Sequence, residues 1–195
     1  AILEDDAFVA TLPLLSYLDL STNKSDYQIV FEDSGGVAEN DLYGATWKIT
    51  KELTIGDIPC RNRFFSCIIS AASGDIFSFS YHPVINPENS NNGDVSFSEA
   101  RQSALDWLGT QPYLTDKAPV LDENDSGTIV IAPRQNMFAP EQFLPSDCDD
   151  PNYFPLKTYY SWELKFIWTE YGEDQYTGVV WVNSETGEVV GAKIN

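Results

Sequence analysis

Two ten-residue stretches of this chain follow one pattern, 113 positions apart. Cys67-Ile68-Ile69-Ser70-Ala71-Ala72-Ser73-Gly74-Asp75-Ile76 is an apolar run, a polar turn ending in Ser-Gly-acid, and a second apolar run. Val180-Trp181-Val182-Asn183-Ser184-Glu185-Thr186-Gly187-Glu188-Val189 is the same with Thr-Gly-acid. A glycine in that place supplies the backbone freedom of a tight hairpin. After each turn the pattern alternates. Phe77, Phe79 and Tyr81 are separated by Ser78 and Ser80, and Val190, Ala192 and Ile194 by Gly191 and Lys193. A period of two sets each trio on one sheet face, which predicts a buried side for both strands.

Upstream of each turn runs an aromatic-led alternating segment. The first carries Tyr43, Ala45, Trp47 and Ile49, and the second Tyr160, Trp162, Leu164, Phe166 and Trp168. Further upstream, Tyr27–Phe31 and Thr128–Ile131 read as one more strand each. Thr54–Arg61 and Glu170–Asp174 read as polar connecting loops.

A helix precedes each set. Ser96 and Glu99 form a capping box, Phe97, Ala100, Ala104 and Leu108 follow at helical spacing, and Gly109 closes the end. The earlier helix aligns Leu14, Leu15, Tyr17 and Leu18 with Ala104, Leu105, Trp107 and Leu108, and so puts Pro13 in its first turn. The fold expected is α+β, one helix packed on a three- to four-stranded antiparallel sheet, made twice. The first unit spans 1–85, a polar linker 86–95, and the second unit 96–195 with an insertion at about 133–155.

Ser96, Glu99, Ala100 and Ala104, the Trp162-Glu163-Leu164 strand, and the closing Trp181-Val182 and Thr186-Gly187-Glu188-Val189 hairpin together resemble the PepSY-like (cystatin-like) domains and YcdB/YcdC-type repeats of bacterial exported proteins. In the first unit the matching residues are Trp47, Lys48, Ile49, Ser73, Gly74, Asp75 and Ile76. The family's turn has Asp before Thr-Gly, where this chain has Ser184-Glu185 and Ala71-Ala72. The resemblance implies a tandem PepSY-like protein that is extracellular or at the cell surface of a bacterium, with a role in restraining a peptidase. It brings no catalytic residues.

Charge narrows the partners. Eleven basic residues stand against thirty acidic ones, a net charge of −19. Such a surface repels nucleic-acid phosphates and anionic lipid heads, and suits a protein partner or calcium. No apolar run is long enough to cross a membrane. A lipid anchor upstream remains open.

The chemistry of sites is sparse. Three cysteines, Cys60, Cys67 and Cys148, cannot pair fully, and Cys60 with Cys67 is one pairing. His82 is the one histidine, so any Ser-His or Cys-His system must use it; a solvated strand-end residue is the simpler reading. Asp122, Asn124 and Ser126, with Gly127 next, match the first half of a calcium loop, but Pro133 stands where the bidentate Glu belongs. Asp147, Asp149 and Asp150 are a second calcium candidate. Thirty acids make close carboxylate pairs inevitable, so a carboxylate-based hydrolase has no specific signal. Most Trp and Tyr fall on core faces; Tyr153, Phe154 and Tyr171 do not, and are the partner-binding candidates. The expectation is a non-catalytic protein-interaction module without cofactor, with a structural spacer domain as the alternative.

Overall fold

The computed structural model describes residues 2–33, 44–114, 116–136, 157–170 and 174–194. The chain divides into two compact units. One comprises Ala1–Leu53 and Arg63–Val84, the other Thr54–Asn62 and Ile85–Asn195. The fold is α+β.

The first unit opens with α1 (Glu4–Tyr17). Its first turn holds Glu4, Asp5 and Asp6, which favour the positive end of the helix dipole. The Asp6 carboxylate accepts the Leu3 N–H at 3.4 Å. Pro13 lies inside the helix, ten residues in, and not in the first turn expected of it. It withholds the N–H that would meet the Val9 carbonyl, a cost the packed face of α1 has to offset. That face is Ala7, Phe8, Thr11 and Leu15.

β1 (Gln28–Glu32), β2 (Thr46–Ile55), β3 (Ile58–Ser70) and β4 (Ile76–Tyr81) follow. They lie in the order β1-β2-β3-β4, with β1–β2 and β3–β4 antiparallel. Gly56, at φ +58°, lets β2 turn into β3 within two residues. Residues 54–61 therefore form a hairpin tip, not the polar loop expected. Ile29, Trp47, Ile49, Phe65, Cys67, Ile69 and Tyr81 pack with the helix into one core. Cys60 and Cys67 are both buried and are not bridged to each other, so that pairing is not made. Both sit on β3, and seven residues of extended chain span about 23 Å, far beyond the ~7 Å a disulfide tolerates.

The second unit holds α2 (Phe97–Leu108), β5 (Val120–Leu121), β6 (Thr128–Pro133), β7 (Gln135–Asn136), β8 (Thr158–Glu170), β9 (Asp174–Asn183) and β10 (Val189–Ile194). Ser96 and Glu99 make the capping box the sequence predicts. Gly109 is the C-cap, but with φ −63° it uses no left-handed freedom. The sheet order is β6-β8-β9-β10-β7, with β5 also on β8. β6 and β7 are separated by Arg134 alone, yet they pair with strands at opposite flanks of the set. The sheet therefore curls round on itself. One face meets α2 through Leu164, Phe166, Val180, Val182 and Ala192. The curled inner face buries Val130, Ala132, Val179, Trp181 and Val190.

Inside that curl Glu163 receives a two-pronged contact from Arg61, at 2.7 Å on each oxygen, and the Trp181 indole N–H at 2.8 Å. Cys60, beside Arg61, is a parallel bridge partner of Ile131. The fork and the indole satisfy a carboxylate that is largely withdrawn from water.

Candidate functional site

The period of two in 77–81 does make a strand, but not a covered one. Phe79 stands opposite Cys67, and Tyr81 opposite Phe65, so these side chains share the face on which α1 lies. α1 covers β1, β2 and β3. Tyr81 reaches that core, whereas Phe77 and Phe79 are 50% and 52% exposed. The expectation that this trio is interior fails for both phenylalanines: β1–β3 already span about 10 Å at ~4.8 Å spacing, the width of one helix, and the register slip breaks the alternation at Phe77.

β4 has β3 on one side and, among the described residues, no strand on the other. Its register with β3 slips between Ile68 and Ile69, which places Phe77 at the irregularity. From Ile76 to Tyr81 it carries no charge and no proline, the devices that usually blunt an edge. The strand thus offers unpaired backbone groups beside two half-exposed aromatic rings.

Charge is uneven along this edge. Asp75 is exposed at its start, held by the Ser73 hydroxyl at 2.7 Å. The Ile2 N–H donates to the Ala71 carbonyl at 2.6 Å, which brings the acidic first turn of α1 to the same end. Glu4 and Asp5 share Lys24; Asp6 and Asp75 have no cationic partner among the described residues. At the far end His82 donates its backbone N–H to Phe64 O at 2.9 Å and packs on the Phe64 ring, centroids 4.4 Å apart. It is half-buried, not solvated as expected.

The Asp122–Gly127 loop is a connector pinned to β8. The Asp122 N–H donates to Lys165 O at 3.0 Å, and the Lys165 N–H donates to the Asp125 carboxylate at 2.7 Å. A side chain there takes the place of a missing ladder partner. The Asp122 carboxylate accepts the Asn124 N–H at 2.9 Å, and Asn124 and Ser126 are exposed. Among the described residues no three His, Cys, Asp or Glu side chains stand close enough together to hold a metal ion. Asp147, Asp149, Asp150, Tyr153, Phe154 and Tyr171 lie outside the described residues.

Alternation does not reveal the hydrogen bonds that knot each unit. In the first, Trp47 Nε1 donates to Ile2 O at 3.2 Å, and Ile2 is two residues before α1. In the second, Trp162 Nε1 donates to Val95 O at 2.9 Å, and Val95 is two residues before α2. Ile2 N donates to Ala71 O and Val95 N to Ser184 O; Ala71 N donates to Ala45 O and Ser184 N to Tyr160 O. Ser70 Oγ accepts the N–H groups of Ala72 and Ser73, as Asn183 Oδ1 accepts those of Glu185 and Thr186. Gly74 and Gly187, at φ +81° and +73°, close the two turns alike. The buried helix positions follow suit: Ala7, Thr11 and Leu15 in α1, Ala100, Ala104 and Leu108 in α2.

No protein-family model and no curated protein matches the chain. Among solved structures, the Bacillus megaterium YpeB C-terminal domain matches over 100% of this chain and 66% of its own length, at 13% identity and a TM-score of 0.36. The chain thus spans just under two thirds of that structure. No described helix is long and apolar enough to cross a membrane.

Proposed function

We propose that this chain is a non-catalytic protein-interaction module built from two PepSY-like units, working outside the cytoplasm of a bacterium. In this reading the outer edge of β4 takes an extended segment of a peptidase or other surface protein as an added strand. One observation carries it: the uncharged edge of β4 has, among the described residues, no strand beside it and has Phe77 and Phe79 half-exposed along it. Strand addition draws affinity from main-chain hydrogen bonds and selectivity from alternate side chains, and β4 supplies both. The doubling is supported by the shared hydrogen bonds around Trp47 and Trp162. On that basis Ala7 corresponds to Ala100 and Leu15 to Leu108, which moves the helix alignment three residues from the one the sequence suggested.

The test is amide hydrogen exchange of the whole chain with an uncharged eight-residue peptide alternating Phe or Val with Thr. Slowed exchange across 76–81, lost when Phe77→Ser and Phe79→Ser are combined, is the expected result. If 76–81 gains no protection from the peptide, the spacer reading takes over. Those two rings are exposed, so the double change leaves the core of the unit intact.

A further inference from the structure

The edge reading of β4 leaves the chemistry of the incoming segment open, and the charge around β4 narrows it. We infer that the segment is cationic at one end: apolar residues lie against Phe77 and Phe79, and Lys or Arg sits at the end beside Asp75. This rests on the strand-addition reading above.

The first step is the neutrality of the strand itself. Ile76–Tyr81 places no charge beside the incoming chain, so its central positions are chosen by apolar contact. The second is the asymmetry of the ends. Asp75 opens β4, and the bond from Ile2 N to Ala71 O carries Glu4, Asp5 and Asp6 toward the same turn. Lys24 answers Glu4 and Asp5, while Asp6 and Asp75 meet no cation among the described residues. The opposite end carries His82 and, on β3 beyond the Phe65–Tyr81 pair, the buried Arg63. An anionic end and a non-anionic end fix where a cation belongs.

The third step is the partner's overall charge. The chain carries −19. A second copy would bring the same overall sign to the interface. Like charges across a forming interface cost affinity and slow encounter, whereas a cationic segment gains on both counts. The field of the molecule and the local acids therefore favour the same occupant.

Three synthetic peptides test this on the full chain. All share an alternating Phe/Val core; one ends in Lys-Lys, one in Gln-Gln, one in Glu-Glu, with each terminal pair placed at either end. The expected result is that the best Lys-Lys peptide binds about tenfold tighter than its Glu-Glu counterpart at low salt. That preference collapses near 0.5 M salt, where screening is within about 5 Å. The combined Asp6→Lys and Asp75→Lys variant reverses it. Exchange protection stays on 76–81 throughout. Equal binding of all three on β4 overturns the cationic assignment and leaves the strand edge standing. Charge-selective binding that protects some other segment overturns it as well. Binding of none overturns the edge reading itself. Sedimentation of the protein alone that shows a dimer, dissolved by Phe77→Ser with Phe79→Ser, makes a second copy the occupant and removes the cationic segment.

Discussion

Trp47 and Trp162 each spend their one polar atom on the chain just before a helix. A half-buried indole N–H needs an acceptor, and the carbonyl two residues ahead of a helix is left over by the helix's own ladder. The bond fixes where the helix starts relative to the sheet. Trp47→Phe and Trp162→Phe keep most of the ring and drop the donor. Each is expected to destabilise its own unit by about 1 kcal/mol, read from the urea midpoint. Reading the sequence places both residues on the helix-side face, correctly, since both join the helix-side cores. It does not show the bond, because the acceptors lie 45 and 67 residues away and alternation carries only local information. Gly178 is a second case. It stands opposite Phe166 in the β8–β9 register, and a Cβ there would come within 2.5 Å of the Phe166 ring and 2.7 Å of Lys193 O. The backbone oxygen cannot swing aside. Gly178→Ala is expected to cost about 1–3 kcal/mol by the same measurement, as overpacking commonly does.

Elements show a different limit. The helix over 97–108 is legible because its cap, its periodic face and its end are all local. The start of α1 is misread because Pro13 looks like an opening signal, whereas Glu4, Asp5 and Asp6 open the helix well before it. β4 is legible as a strand but not as an edge, since whether a face is covered depends on the width of a helix elsewhere in the chain. The segment 86–95 reads as a linker because it is polar, yet its polar groups have specific work in the second unit. Beyond the last β8–β9 pair, Ser161 with Asn183, Tyr160 O accepts the Ser184 N–H, and its own N–H needs a partner. Asn89 supplies it: its Oδ1 accepts the Tyr160 N–H at 2.7 Å, and its Nδ2 donates to Tyr160 O at 3.0 Å and to Asn183 Oδ1 at 2.9 Å. Asn89→Ala leaves a half-buried strand end unpaired, and about 1–3 kcal/mol of stability is expected to go with it. Exchange of the Tyr160 amide should rise before that of the β8 amides further in; an unchanged Tyr160 rate would mean that the side chain is not its partner.

At the scale of the whole chain, stability toward base should be unequal, and the reason lies in two residues of the first unit's core. Burial pushes the Tyr27 hydroxyl up to about 12, with the Asp26 charge adding to it, and burial alone pushes the Cys67 thiol up to about 11. Both groups hold their protons longer folded than unfolded. As pH rises past about 9 the unfolded chain therefore loses protons first, which favours unfolding. Their contribution is whole below that point and fades as pH climbs through about 11 and then about 12. Both belong to the core that α1 covers. Hydrogen exchange of the amides in 46–53 and 63–70 is expected to accelerate between pH 9 and 11 beyond the intrinsic base-catalysed rate. Tyr27→Phe should weaken that acceleration at its upper end, since a phenylalanine has no proton to lose, although it also forfeits the bond from Tyr27 Oη to Ser21 O. The control is internal. Among the described residues the helix-side core of the second unit contains no cysteine, and its one tyrosine, Tyr176, lies at the periphery. If amides in 162–168 and 178–182 accelerate over the same range to the same extent, the loss is a general effect of the chain's negative charge and not of Tyr27 and Cys67.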